Sequence, residues 1–175
     1  VKLLYGHDAA VAAFVSALIW RDERRVNANA KTIGVIDDEG RLIAGFAFFD
    51  WEPREGLIEV AAAAVSPRWA TRAIIHTLFA YAFETCGCQM LIERIAADNE
   101  RALKFNMGLG FVPQRVRRLY GRHQDGYLMT LTAEEWRREE RRPWAKNLNH
   151  PRLILSLWAR PRPAPTSARR SPIRC

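Results

Sequence analysis

Side chains that could do chemistry are spread thinly along this chain. Arg68 and Arg72 lie in "SPRWATR", where a strand gives way to a helix starting near Thr71. Unpaired N–H groups at a helix entrance, with two guanidinium groups beside them, suit an anion such as a phosphate; the plainer alternative is a solvated turn. His76 follows Arg72 by one helical turn and has the chemistry of a base, although packing or surface exposure is the ordinary fate of such a histidine. Asp50, Trp51, Glu52 and Glu55 make an acidic, aromatic loop that would suit a cationic amine beside a cleft, or would simply be a hydrated turn. Arg115, Arg117, Arg118 and Arg122 gather near the end of the folded part; alternation puts Arg115 and Arg117 on one face, for an acidic substrate or for water. Cys86, Cys88 and Cys175 form an odd count without zinc-ligand spacing, so a reduced compartment and buried thiols at Cys86 and Cys88 are expected. No metal motif, nucleophilic serine signature or glycine-rich phosphate loop is present, and no metal is expected.

Hydrophobic periodicity supplies the elements that would position these groups. "HDAAVAAFVSALIW" has Asp8 as a candidate N-cap and Val11, Phe14, Val15, Leu18 and Ile19 on one helical stripe. The polar "RDERRVNANA" is a loop or short second helix. "KTIGVID" and "RLIAGFAFFD" around "DEG" form an antiparallel hairpin, and "GLIEVAAAAV" adds a third strand that stops at Ser66-Pro67. Thr71 to Glu84 is a helix capped by Gly87, "MLIERIA" a strand, Asn99 to Leu109 a helix closed by Gly110, and "FVPQRVRRLY" with "GYLMTL" a final hairpin. The crossover between "EVAAAAV" and "MLIERIA" puts these two strands parallel. The fold class is α+β: a mixed, mostly antiparallel sheet with one parallel pair, flanked by helices. Such a pair leaves an opening at its carboxyl ends for a ligand.

This order of elements, with "AVSP" at a strand end and "NERALKFNMGLGF" further on, resembles the GNAT acetyltransferase superfamily over residues 1–136. The closing segment is similar to that family's N-x-x-A-(seven residues)-G-F helix at Asn99, Ala102, Gly110 and Phe111. The resemblance implies acetyl-coenzyme A as acyl donor, Asn99 hydrogen-bonding beside its pantetheine arm, and Phe111 entering the core. The family's pyrophosphate loop, Gln/Arg-x-x-Gly-x-Gly/Ala, falls in an ungapped register on Ala70, Thr71, Arg72, Ala73, Ile74 and Ile75, without either glycine. A register starting at Arg68 puts Thr71 and Ala73 at the glycine positions. Many members place a proton-donating tyrosine where this chain has Asn106; because a thiol titrates near 8.5, loss of that acid need not abolish transfer. Glu59, six residues before Val65, resembles the catalytic glutamate of histone-type members and is the candidate base for an amine; an exposed carboxylate at the sheet edge is the alternative. Backbone N–H groups near Ala63 to Val65 are the candidate oxyanion donors. The arginines of the final hairpin could also meet the coenzyme's 3′-phosphate. "SPRWATR" leading to "YAFE" further looks like GNAT proteins of phages and prophages.

Length and charge frame these expectations. The chain has 175 residues, enough for one domain with a sizeable core. No apolar run approaches the roughly 18 residues of a membrane span, and no membrane partner is expected. No charged-then-apolar leader pattern is visible, and a cytoplasmic location is expected. Residues 1–136 hold 16 Lys and Arg against 17 Asp and Glu, whereas residues 137–175 hold 11 against 2. Thr132 and Glu135 occupy capping-box positions for a terminal helix stopped by Pro143; beyond it the Pro/Arg/Ser-rich tail, with the apolar island "LILSLWA", is expected to be largely disordered. The expected activity is direct acetyl transfer from acetyl-coenzyme A to a primary amine on a small molecule or protein, with a homodimer as the candidate assembly. The competing expectation is a catalytically impaired scaffold whose basic tail binds nucleic acid.

Overall fold

The computed structural model of the chain describes residues 1–20 and 29–139. Most of the polar segment after the first helix, Pro143, "LILSLWA" and Cys175 lie outside the described residues. In chain order the elements are β1 (Lys2–Leu4), α1 (Asp8–Trp20), β2 (Lys31–Ile36), β3 (Leu42–Glu52), β4 (Leu57–Ala64), a 3-10 turn (Pro67–Trp69), α2 (Arg72–Ala80) continued by a π-turn (Tyr81–Thr85), β5 (Met90–Ala96), α3 (Glu100–Gly108), β6 (Val112–Val116), β7 (Gly126–Thr132) and α4 (Ala133–Glu139). One seven-stranded sheet runs β1-β2-β3-β4-β5-β7-β6. Among the described residues only β4 and β5 pair in parallel; the other neighbours are antiparallel. This is the mixed sheet expected from the crossover, with β1 as an added edge strand too short to show any periodicity.

Each face of the sheet has its own helical cover. On one side α1 brings fully buried Val11 and Val15 against Ala47 and Ala61. Gly34 and Gly45, opposite one another on β2 and β3, make that approach possible. A Cβ on Gly45 would meet Val15 Cγ2 at 2.9 Å and Val11 Cγ1 at 3.0 Å, closer than packed carbons tolerate. On the other side α2 and α3 pack Ile74, Leu78, Phe79 and Leu103 onto Phe46, Phe48, Val60 and Leu91.

The expected stripe of α1 is buried only in part. Leu18 and Ile19 remain 46% and 40% exposed, because the last turn of the helix overhangs the place where β4 and β5 part. Asp8 caps nothing; its carboxylate instead accepts from Thr32 N at 2.8 Å and Thr32 Oγ1 at 3.0 Å. Thr132 and Glu135 do form a reciprocal box, with Thr132 N donating to Glu135 Oε2 at 2.8 Å and Glu135 N to Thr132 Oγ1 at 3.2 Å. The helix they open runs through position 136 to Glu139 and stacks Trp136 on Phe83 at 5.3 Å.

Candidate functional site

The site begins where the parallel pair ends. β4 and β5 pair over Leu57–Met90, Ile58–Leu91 and Glu59–Ile92, and then separate. Each stays fastened on its far side, β4 to β3 as far as Ala64 and β5 to β7 as far as Ala96. Both lips are therefore held in place while the backbone between them is left open. A cavity of about 830 Å³ occupies the gap, edged by Ala62, Ala63 and Ala64 on one lip and Glu93 and Ala96 on the other. Alanine at three successive positions leaves room on both faces of β4, which larger residues would fill.

Strand alternation sorts the charged groups between the two faces. On the α1 face, with Ala61 and Ala63, Glu59 accepts a hydrogen bond from Arg94 Nε at 2.6 Å. Glu59 is only 18% exposed and Arg94 48%; of the two, Arg94 lines the cavity. On the opposite face Glu93 stands between buried Leu91 and Ile95, the first residue of β5 beyond the last parallel pair. It is half-buried and lines the cavity. Burial pushes its carboxyl up to about 8, against the opposing pull of a hydrogen bond from the Asn106 side chain; the nearby Glu59 charge adds to the rise. Asn106 is buried on α3 and also donates from Nδ2 to Ala102 O at 3.1 Å.

Glu93 is not among the residues singled out in the sequence, where "MLIERIA" reads simply as a strand. The available signal was its two-residue spacing from Leu91 and Ile95, which assigns Glu93 to the apolar face and Arg94 to the other.

The segment from β4 to α2 can receive an anion. Thr71 Oγ1 caps α2 by accepting from Ile74 N at 3.3 Å, and Ile75 N reaches back to Thr71 O at 3.0 Å. The first-turn N–H groups of Arg72 and Ala73, both exposed, are then the donors left at the helix entrance. Ala70 is buried and its N–H bonds Pro67 O at 3.1 Å. Ile75 is 7% exposed, inside the helix–sheet core and away from this entrance. The residues around the entrance, Thr71, Arg72 and Ala73, are common to both registers. Arg68 itself turns toward Asp38, at 3.1 Å.

Two more observations fit the pantetheine arm of a coenzyme. The indole nitrogen of Trp69 is buried with no hydrogen-bond partner, and Trp69 lines the cavity between Phe46 and Phe105, at centroid distances of 4.9 and 5.7 Å. An orphaned donor in an apolar chamber is costly unless a ligand atom meets it. Asn99 caps α3 by accepting from Ala102 N through Oδ1 at 3.3 Å, and it too lines the cavity. Of the proposed oxyanion donors, Val65 N–H is engaged by Ile43 O at 2.9 Å. Ladder alternation turns Ala63 N–H the same way, which directs those of Ala62 and Ala64 toward the gap.

Several other candidates lie away from this site. Asp50, Trp51, Glu52 and Glu55 are exposed at the paired end of β4, and none lines the cavity. His76 is exposed on α2 with its ring 5.7 Å from Trp136. Arg115 pairs with Asp125 at 2.9 Å, and it is Tyr120 and Gln124 of the same region that reach the cavity. Cys88 is buried and Cys86 half-buried, both free thiols.

No protein-family model and no curated protein sequence matches the chain. Solved structures do. A chimera of the Vibrio cholerae spermidine N-acetyltransferase SpeG with hSSAT superposes with a TM-score of 0.62 at 15% identity, covering 79% of this chain and 99% of that one. A structure described as an acetyltransferase gives 0.59 at 18% identity over 86% and 92%. A dodecameric form of the Vibrio cholerae enzyme gives 0.52 at 18% identity over 65% and 71%. The chain thus has the GNAT acetyltransferase fold, at low sequence identity. None of these neighbours is described as a phage protein, and the phage texture of "SPRWATR" is without support. Among the described residues no helix is long and apolar enough to cross a membrane.

Proposed function

We propose that the protein is an N-acetyltransferase that moves an acetyl group from acetyl-coenzyme A to a primary amine by direct attack. The observation that carries this reading is the open gap between β4 and β5, its lips paired to β3 and β7, and provided with an unsatisfied Trp69 N–H. When bound, the coenzyme supplies an activated thioester. The entrance of α2 at Arg72 and Ala73 would receive its pyrophosphate, Asn99 and Trp69 would flank its arm, and the N–H groups of Ala62 and Ala64 would meet charge developing on the acyl oxygen.

Because α2 and α3 share one face, the acyl donor is assigned to that side and the amine to the α1 side. There Glu59 is the base, with Arg94 holding its carboxylate in place. An amine of pKa about 10.4 is mostly protonated at neutral pH, so a positioned base is worth roughly 10²–10⁴ in rate. Polyamines head the acceptors to be tried, since the similar SpeG structures are of a spermidine N-acetyltransferase.

The test is a thermal shift with acetyl-coenzyme A followed by an amine screen for thiol release, run on wild type and Glu59→Gln. Expected are a raised melting temperature, turnover of at least one primary amine, and its loss by about 100-fold or more in the variant. No shift at millimolar ligand would defeat the coenzyme reading, and turnover unaffected by Glu59→Gln would remove Glu59 as the base.

A further inference from the structure

We infer that Glu93 is the proton donor to the departing sulfur, acting from β5 in the role that Asn106, an amide, cannot fill on α3. The inference rests on the acetyl-transfer reading above and gives that site a second catalytic side chain. Three features place Glu93 there. It is the first residue of β5 past the parallel pairing, at the apex of the gap. It faces the α2/α3 side, the side assigned to the acyl donor, while Glu59 and Arg94 occupy the other. Asn106, at the position where the resemblance would put a tyrosine, is its hydrogen-bonding neighbour.

The surroundings keep a proton on Glu93 until a base needs it. Among the described residues the charged or titratable groups facing it are few: Glu59 and Arg94 across the sheet, Arg101 from α3, and Tyr120 from the β6–β7 connection. β3, β4 and α2 offer only apolar side chains to this part of the cavity, and Met129 is its cross-strand partner on β7. Its carboxyl, at about 8, lies close to the roughly 8.5 of a free thiol, so proton transfer between them is nearly balanced. The amine nitrogen bonds to the acyl carbon as the C–S bond breaks with its electron pair on sulfur. The amine proton passes to Glu59, the sulfur takes the proton of Glu93, and amide, thiol and a Glu93 carboxylate result. Exchange with solvent through the cavity mouth resets both carboxyl groups.

The test compares wild type, Glu93→Gln, Glu93→Gln combined with Asn106→Tyr, and Tyr120→Phe, with acetyl-coenzyme A binding followed by calorimetry and turnover measured with spermidine. Glu93→Gln should bind acetyl-coenzyme A within about threefold of wild type, yet lose roughly 10- to 100-fold in kcat, toward the low end for an acid because a thiolate already leaves readily. Wild-type kcat should fall as pH rises through about 8, where Glu93 gives up its proton. That limb should vanish in Glu93→Gln, and the added tyrosine should restore turnover.

A readout without turnover uses free coenzyme A. The thiol of the bound molecule, followed by thiolate absorbance, should titrate about one unit lower in Glu93→Gln than in wild type, because a Glu93 carboxylate beside it opposes a second negative charge. Identical thiol titrations, an unchanged high-pH limb, or loss of that limb in Tyr120→Phe instead would overturn the assignment. If spermidine is not turned over, the thiol titration decides. Failure of wild type and variant alike to bind acetyl-coenzyme A would instead remove the coenzyme reading on which the proposal stands.

Discussion

At the scale of single residues, two side chains in the cavity are held in states that cost the ligand-free protein stability. Glu93 is the clearer case. Its folded pKa is raised to about 8 from a reference of 4.5, so between these values the unfolded chain releases a proton that the folded chain keeps. Stability associated with this group is therefore fully present below the unfolded pKa, declines as pH climbs, and levels off above 8. Glu93→Gln should flatten that decline: its melting temperature should exceed wild type at pH 8.5 and approach it at pH 5. Parallel melting curves across that range would show that Glu93 ionises normally. Trp69 is the second case. Trp69→Phe keeps a ring against Phe46 and Phe105 but deletes the orphaned N–H. The apo protein should keep its stability to within about 1 kcal/mol or gain slightly, while acetyl-coenzyme A binds about tenfold more weakly by calorimetry. Unchanged affinity would mean that the indole nitrogen meets no atom of the coenzyme.

At the scale of elements, the legible parts were those whose cause is local. The helix from Asn99 could be read because its cap, its apolar spacing and its stop all lie within thirteen residues; in the structure Asn99 caps it, Gly110 takes φ +99°, and Phe111 is 4% exposed. The parallel pair was readable because a crossover helix leaves little choice of direction. The face occupied by Glu93, the exposure of Leu18 and Ile19, and the distance of the Asp50–Glu55 loop from the cavity depend on where β4 and β5 part, and no local pattern specifies that point. Gly45 shows the same division: the letter is visible in "LIAGFAFF", but its reason is the approach of α1 from elsewhere. Gly45→Ala should destabilise the protein by about 1–3 kcal/mol through overlap with Val11 and Val15, measured as a lower urea midpoint. A neutral result would mean that α1 can move outward freely.

For the molecule as a whole, the last described helix is part of the domain: α4 buries Ala133 and Trp136 and lays Trp136 over Phe83. Trp136→Ala should cost about 3–5 kcal/mol in denaturant unfolding; a loss below 1 kcal/mol would mean that α4 adds little to the fold. The basic segment 137–175, with its +9 balance, begins inside α4, and its residues beyond Glu139, with the nucleic-acid contacts proposed for them, lie outside the described residues. The opening between β4 and β5 also bears on the order of events in turnover. A slot reachable from front and back lets two reactants meet end to end without either vacating for the other. On the proposed chemistry, double-reciprocal plots at varied amine should intersect; parallel lines would point instead to an acyl group parked on the protein between two half-reactions.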